Sequence, residues 1–302
     1  MMFEPAYIKL YESGKLQEIA EQFYTIYDNC TLCPRQCGVN RRKGEKGTCQ
    51  AGTSVKISSV SPHFGEERPL VGSHGSGTIF LTYCSLLCLY CQNWDISHGG
   101  EGSDISDKQL AAAMLKLQKL GCHNINFVTP THYLPNIVQG LVIAVEQGLR
   151  LPIVYNTGGY ERVEILKLLE GIIDIYMPDF KYSDGKIAAK FSSGLNDYPE
   201  IIRAALKEMF RQVGVMQTDK YHIAQRGLII RHLVLPNGLA GTEAFVKFIA
   251  EELDPANYVN IMAQYRPCYQ GHNFPELSRG ITSEEFNNAL LAAHKYKLFN
   301  LA

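Results

Sequence analysis

The sequence predicts an α/β protein: a partial, open (β/α)6 barrel preceded by a small N-terminal cysteine-rich metal module. Three observations lead to this fold class. From about residue 75 to the end, short apolar runs alternate six times with amphipathic helical patterns. Regular βα alternation is typical of a parallel sheet covered by helices, and six units are too few to close an eight-fold barrel. Seven of the nine cysteines fall into two tight groups, one before this series and one inside its first unit.

The strands of the series are predicted at 78–83, 124–128, 153–156, 173–178, 228–235 and 258–263. The helices are predicted at 107–120, 136–147, 161–170, 199–213, 242–253 and 283–295. Ser106 and Asp104 are both suitable N-caps for the first of these helices, because their side-chain oxygens can accept hydrogen bonds from its free N–H groups.

We place a domain boundary at residue 74, so that 1–74 form an N-terminal helix and metal-binding module and 75–302 form the barrel domain. The module begins with a helical pattern up to about residue 27 and contains one alternating strand at 55–60. A turn-rich connector with many glycines and prolines follows. For its acidic pair, Glu66 and Glu67, we expect solvated side chains, and the alternative is that they face the cavity of the barrel.

Composition excludes several classes of function. The chain has 302 residues, of which 46% are hydrophobic and 20% charged, as in a folded globular protein. Its net charge is −1, whereas general nucleic-acid and anionic-membrane binders carry an excess of lysine and arginine. The N-terminus has no apolar leader, and no aliphatic stretch is long enough to cross a bilayer. We therefore expect a cytoplasmic protein with no nucleic-acid and no membrane partner.

Three cysteines follow the first strand of the series: Cys84, Cys88 and Cys91, spaced C-x3-C-x2-C. In parallel α/β folds, TIM-like barrels included, active sites lie beyond the carboxyl ends of the strands. One short loop of this kind can supply three thiolates to a cubane cluster, whose fourth iron then lacks a cysteine. An open coordination site predicts substrate binding at the metal. A zinc site and three buried cysteines are the alternatives to this interpretation.

This motif, with Tyr90 in the aromatic position before Cys91, resembles the signature of the radical SAM superfamily. The resemblance implies an enzyme that binds S-adenosylmethionine (SAM) at a [4Fe–4S] cluster on the three cysteines and cleaves it reductively to a 5′-deoxyadenosyl radical. It implies that Tyr90 lies near the adenine. The chain is most similar to the glycyl-radical activating branch, that of the pyruvate formate-lyase activating enzymes. Partners implied are SAM, an electron donor such as flavodoxin or ferredoxin, and a protein or peptide substrate.

The resemblance extends to two later strand ends. In the activating enzymes, residues that resemble Asn156, Thr157, Met177 and Asp179 form a cation site beside the SAM carboxylate. Oxygen ligands of this kind suit a hard cation. Asn156 stands where that family has an aspartate, which removes one negative charge. Lys181 is included in the SAM site; the alternative is that it only forms a local ion pair with Asp179.

Other strand ends offer further SAM contacts. After the second strand, Thr129 and Thr131 replace the Gly-Gly-Glu often found in the superfamily and offer oxygen acceptors for an ammonium group. Arg231 on the fifth strand suits a carboxylate or a ribose, and Gln264 follows the sixth. The alternative is that Arg231 and Gln264 only form ordinary hydrogen bonds at the rim of the barrel. His132 is either a proton-transfer or ligand group or a structural histidine.

The second cysteine group contains Cys30, Cys33, Cys37 and Cys49. Four thiolates satisfy either tetrahedral Zn²⁺ or a fully ligated iron–sulfur cluster, and the spacing does not distinguish the two. A cluster here would relay electrons or engage substrate, whereas zinc would hold the N-terminal segment over the barrel.

Two classes of function remain open. The preferred one is a radical SAM enzyme, which either activates a glycyl-radical enzyme or modifies a small molecule or peptide. The other is a non-catalytic iron–sulfur electron carrier. Residues that handle SAM serve many chemistries, so they predict the radical better than its target.

Overall fold

The computed structural model describes residues 3–302, which fold around a nine-stranded mixed sheet. The strands are β1 (Val55–His63), β2 (Ser76–Leu81), β3 (Ser103–Ile105), β4 (Ile125–Val128), β5 (Ile153–Thr157), β6 (Ile175–Pro178), β7 (Gln217–Thr218), β8 (Ala224–Leu233) and β9 (Tyr258–Met262). The helices are α1 (Tyr7–Glu12), α2 (Lys15–Thr25), α3 (Arg68–Val71), α4 (Trp94–Ser97), α5 (Asp107–Lys119), α6 (Leu134–Glu146), α7 (Val163–Leu168), α8 (Gly185–Phe191), α9 (Tyr198–Val213), α10 (Thr242–Glu252) and α11 (Ser283–Lys295). None of these helices combines the length and apolar character needed to cross a membrane.

Six strands of the sheet are parallel and follow the order of the chain. They are β2, β4, β5, β6, β8 and β9, and they coincide within a few residues with the six predicted strands. β1 and β3 extend the β2 edge in antiparallel pairing, and β7 pairs antiparallel with the start of β8. The predicted α/β class with a parallel sheet is therefore confirmed, whereas curvature into a partial barrel stays a prediction.

The parallel strands are buried on both faces, which explains their nearly continuous apolar sequences. Along β5, Ile153 and Tyr155 pack into the large core beneath the helices. Val154, between them, points to the opposite face, because successive side chains of a strand alternate. There it joins a smaller core with Ile175 of β6 and with Leu70 of α3. The helix α3 lies in the segment predicted to be only a turn-rich connector.

The N-terminal segment packs on the same body as the barrel series. The long helical pattern predicted there is divided into α1 and α2 at Gly14, whose φ of +79° is unfavourable for other residues. The Tyr7 hydroxyl donates to the carbonyl oxygen of Leu151 at 2.7 Å, and the backbone N–H of Ala6 donates to Asp174 at 3.0 Å. β1 also pairs along β2. The domain boundary at residue 74 stays a prediction, with strands of one sheet on both sides of it.

Candidate metal and cofactor site

A cavity of about 280 Å³ lies at the carboxyl ends of the parallel strands. Its walls come from the loop after β2 and from the ends of β4, β5, β6, β8 and β9. The structure brings together most of the predicted site residues here: Cys84, Cys88, Tyr90, Cys91, Thr129, Asn156, Thr157, Asp179, Lys181, Arg231 and Gln264. These residues are far apart in sequence, and they meet because parallel strands end at one edge of the sheet.

The cysteine loop turns back on itself at residues with left-handed backbone conformations. Tyr83 has a φ of +70° and Leu87 a φ of +52°, conformations that are uncommon outside glycine. Each cysteine sulfur of the loop accepts one hydrogen bond. The donors are the Leu86 N–H to Cys84 Sγ at 3.4 Å, the Ser192 hydroxyl to Cys88 Sγ at 3.1 Å and the Ser97 hydroxyl to Cys91 Sγ at 3.2 Å. Such donors stabilise a thiolate more than a neutral thiol.

The chemistry of this donor set fits an iron–sulfur cluster. Burial raises the pKa of Cys84 to about 12 and also raises that of Cys88, so both stay protonated unless a cation replaces the proton. Iron would supply that cation, since a cubane binds each thiolate through a separate iron. Cys84, Cys88 and Cys91 would hold such a cluster and would leave one of its irons without a cysteine ligand.

The charged residues of the cavity form one network around Asp179. Its carboxylate accepts hydrogen bonds from Lys181 Nζ at 2.8 Å and from Arg231 Nε at 2.7 Å. Arg231 also donates to Asn156 Oδ1 at 2.7 Å and to Glu66 Oε2 at 3.1 Å. Burial by itself would raise the pKa of Asp179, but the two cationic side chains hold it below its usual value. Two of the residues predicted for a cation site therefore contact cationic side chains instead: Asp179 contacts Lys181 and Arg231, and Asn156 contacts Arg231.

The expectation that Glu66 and Glu67 are solvated is wrong. Their side chains are 8% and 3% exposed, because the segment after β1 folds over the sheet and brings both carboxylates to Arg231. Glu67 also accepts a hydrogen bond from Asn260 Nδ2 at 3.0 Å. No local pattern in the sequence indicates this burial, since the partners lie on strands far along the chain.

Two predicted residues, Thr131 and Met177, do not line the cavity in the described part of the chain. The Thr131 hydroxyl donates to Glu161 at 2.6 Å, and Glu161 also accepts hydrogen bonds from the hydroxyls of Thr157 and Tyr155. Burial raises the pKa of Glu161 to about 7 despite these three donors. The Met177 side chain packs into the smaller core on the other face of the sheet.

Tyr90 and His132, both considered as site residues from the sequence, have different environments. Tyr90 is buried in the cavity wall, with its ring edge-to-face against Tyr182 and Tyr265. His132 is buried, and its Nε2 lies 2.7 Å from the carbonyl oxygen of Thr82. Burial lowers the pKa of His132 to about 3, so the ring is neutral. This environment favours the structural interpretation of His132.

The Gly158–Gly159 turn after β5 brings the backbone close to the end of β6. Gly159 has a φ of +80°, and a Cβ atom there would lie 2.8 Å from the carbonyl oxygen of Asp179. The hydroxyl of Tyr198 lies 2.9 Å from the Gly158 carbonyl oxygen and 2.8 Å from that of Asp179. Tyr198 therefore ties the two strand ends together, a role that the sequence did not indicate.

The four-cysteine group occupies the loop between α2 and β1. Burial, with smaller contributions from the neighbouring Cys49 and Cys30, raises the pKa of Cys33 to about 12. Arg35, from the same loop, donates to the carbonyl oxygen of Ser85 at 2.6 Å and so contacts the other cysteine loop. Within residues 3–302, no three cysteine, histidine or acidic side chains are close enough together to hold a single metal ion, and this applies to both cysteine groups. A cubane differs from a single ion in that its thiolates bind separate irons.

One family model and two relatives match the chain. A family model described as the radical SAM superfamily matches residues 78–216. The uncharacterized protein MJ0674 of Methanocaldococcus jannaschii is 36% identical over 282 residues, which are 90% of this chain and 76% of the relative. MJ0808 of the same organism is 25% identical over 297 residues, 87% and 81% of the two chains.

A solved structure resembles the fold as well. It is a radical SAM methyltransferase from Sphaerobacter thermophilus, with a TM-score of 0.51 and 14% sequence identity. The match covers 74% of this chain and 65% of that one, slightly less than two thirds of its length. At this identity the likeness concerns the fold alone.

Proposed function

The chain belongs to the radical SAM superfamily, and we propose that Cys84, Cys88 and Cys91 hold a [4Fe–4S] cluster at which SAM is reductively cleaved. Superfamily membership implies both the cluster and SAM. The observation that carries the ligand assignment is the three-cysteine loop at the carboxyl end of β2, which shares one cavity with the charged strand ends. When bound, the cluster supplies an electron to the S–C5′ bond of SAM.

The residues of the cavity offer groups for each polar part of SAM. Lys181 and Arg231 present cationic donors to its carboxylate, and Asp179 presents an acceptor to its ammonium group or ribose hydroxyls. Thr129 adds a hydroxyl, and Tyr90 adds an aromatic ring for the adenine. Asn156, Thr157 and Gln264 complete the polar lining. The charged side chains at the strand ends are largely buried, which strengthens these interactions.

The first test is product release. Anaerobically reconstituted protein should release 5′-deoxyadenosine when SAM and dithionite are added, and Cys88→Ala should abolish the release. Cys33→Ala is the matched control, because it removes a thiol outside the proposed ligand set. Cluster-loaded wild-type protein that releases no 5′-deoxyadenosine would instead support a non-catalytic electron carrier. Loss of the first cluster in Cys33→Ala would contradict the division of the cysteines.

For the target of the radical we propose a glycyl-radical enzyme, with flavodoxin or ferredoxin as the electron donor. The support is the resemblance of residues 156–159 and 177–181 to the activating enzymes. A small molecule or a peptide is the second candidate. A glycyl-radical enzyme encoded beside this protein should develop a glycyl-radical EPR signal on incubation with it and SAM. The absence of any such gene from its genomic neighbourhood would favour the second candidate.

We further propose that Cys30, Cys33, Cys37 and Cys49 bind a second metal centre, either Zn²⁺ or an iron–sulfur cluster. The support is the concentration of four thiols in one loop, where unliganded thiols are otherwise liabilities. Metal analysis should find one zinc, or additional iron and sulfide, that is lost in Cys33→Ala and retained in Cys88→Ala. Equal metal content in wild-type protein and Cys33→Ala would contradict the second centre.

A further inference from the structure

The segment after α8 lies directly against the cysteine loop. The backbone N–H of Leu89 donates to the carbonyl oxygen of Phe191 at 2.9 Å, and Cys88 and Ser192 form an isolated antiparallel bridge. On the outer side, Arg35 donates to the carbonyl oxygen of Ser193 at 3.2 Å. Backbone contacts therefore hold this segment in place without any contribution from the Ser192 side chain.

The Ser192 side chain makes a separate contact with a proposed cluster ligand. Ser192 is 0% exposed, and its hydroxyl donates to Cys88 Sγ at 3.1 Å. The hydroxyl of Tyr182, also 0% exposed, lies 2.8 Å from the Ser192 hydroxyl. A thiolate ligand can only accept, so with a cluster bound Ser192 donates its single hydroxyl hydrogen to Cys88. The hydrogen between the two hydroxyls then comes from Tyr182, which donates to Ser192. The two hydroxyls form a chain directed at Cys88.

Such a chain has an electrostatic consequence for a cluster bound at this sulfur. Hydrogen bonds to cysteine sulfurs are among the features that set the potential of an iron–sulfur cluster. A donor favours the reduced state, because reduction adds negative charge that spreads onto the thiolate ligands. In a water-free site, a second donor behind the first polarises it and strengthens the effect.

We propose that Ser192, oriented by Tyr182, is a positioning residue that raises the reduction potential of the cluster at Cys88, an inference that rests on the proposed function. Its position differs from those of the other two donors. Cys84 accepts from a backbone N–H, and the Ser97 hydroxyl at Cys91 also lies 2.9 Å from His98 Nδ1. Ser192 therefore combines complete burial with a second buried hydroxyl behind it.

The test is a redox titration of the reconstituted holoprotein, followed by the EPR signal of the reduced cluster. Ser192→Ala should shift the midpoint potential to a more negative value while the iron content stays at the wild-type level. Tyr182→Phe should shift it in the same direction by a smaller amount, because Ser192 then donates without polarisation. Ser193→Ala is the matched control: this neighbouring serine is exposed, and its backbone contact to Arg35 is retained. It should keep the wild-type potential.

The outcomes separate this inference from the proposed function. Wild-type midpoints in both Ser192→Ala and Tyr182→Phe would overturn the inference, while SAM cleavage by the wild-type protein would still support the function. If Ser192→Ala does not retain its cluster, Tyr182→Phe decides: a negative shift supports the inference and an unchanged potential overturns it. A wild-type chain that forms no cluster on the three cysteines would overturn both.

Discussion

At the scale of single residues, Arg231 is the cation that neutralises buried carboxylates at the cavity. Its side chain is 16% exposed and contacts carboxylates from two distant parts of the chain, Asp179 and Glu66. A buried ion pair contributes modestly as a whole, but removal of one partner leaves the other charge uncompensated in a poorly solvated site. The positive charge of Arg231 therefore stabilises the folded protein by compensating these buried carboxylates, in addition to its proposed role toward SAM.

Replacement of this arginine should destabilise the fold. Arg231→Gln is expected to lower the free energy of unfolding by about 3–5 kcal/mol at pH 7, because buried carboxylates lose their cationic partner. The loss should shrink toward pH 5. Without the arginine the pKa values of these carboxyls rise, so they become neutral as the pH falls and no longer need a partner. Chemical denaturation at both pH values measures this.

The control is an exposed ion pair. Lys207 and Glu252 are in contact at 2.7 Å with side chains 52% and 43% exposed. Lys207→Gln should change stability by less than about 1 kcal/mol, since solvent screens such pairs. Equal losses in the two variants would contradict the interpretation of Arg231.

At the scale of elements, helix α5 shows how one side chain fixes a helix start. The hydroxyl of Ser106 accepts from the backbone N–H of Gln109 at 3.3 Å, and the Gln109 side chain accepts from the backbone N–H of Ser106 at 2.8 Å. This capping box satisfies two N–H groups that the helix cannot bond internally. The other candidate, Asp104, lies in the edge strand β3, opposite Lys56.

Mutation of Ser106 and mutation of Asp104 should therefore change the stability of the protein by different amounts. Ser106→Ala should lower the free energy of unfolding by about 1 kcal/mol, the usual loss for an N-cap hydroxyl. Asp104→Ala, on an exposed edge strand, should stay within about 0.5 kcal/mol of the wild type. Thermal or urea denaturation at pH 7 distinguishes the two outcomes. A larger loss in Asp104→Ala would mean that the aspartate caps the helix.

The short elements were the ones that sequence patterns missed. α8 has seven residues, and its first turn depends on the Asp184 side chain, which accepts from the N–H groups of Lys186 and Ile187. A helix of this length is unstable alone, because few hydrogen bonds offset the cost of starting it. Its end at Phe191 is held by the cysteine loop, a contact that no local pattern encodes.

At the scale of the whole molecule, two buried carboxyl groups link folding to pH. Burial raises the pKa of both Glu161 and Asp174 to about 7. Asp174 lies before β6, where it accepts backbone hydrogen bonds from Ala6 at 3.0 Å and from Ile153 at 3.0 Å. It therefore joins the N-terminal segment to the sheet. Each group favours folding in its protonated form, so its stabilising contribution declines as the pH rises.

Glu161→Gln should reveal this dependence. The folded protein holds the Glu161 proton more tightly than the unfolded chain, so this contribution is complete below the unfolded pKa of 4.5 and is lost as the pH rises through about 7. The loss is on the order of 3 kcal/mol across that window. The stability of Glu161→Gln relative to wild type should therefore rise from pH 4.5 to pH 8. Chemical denaturation across this range measures it.

Glu164, three residues further along the chain, provides the matched control for Glu161→Gln. Glu164 has a side chain that is 70% exposed, so Glu164→Gln should reproduce the wild-type pH profile. Parallel pH profiles for Glu161→Gln and the wild type would show that Glu161 is ionised in the folded protein throughout this range.

Sequence patterns were sufficient to predict the parallel α/β class, the six strands and the cysteine loop at the end of the first of them. These features are local: alternation and helical periodicity extend over a few residues, and the three cysteines lie within eight positions. Which side chains meet around that loop became known only from the folded chain. Glu66 reaches Arg231 across 165 positions, and Ser192 reaches Cys88 across 104. These contacts depend on the order of the strands and on the path of each connection between them. Folding can therefore bring together charges and hydroxyls that no short sequence pattern relates.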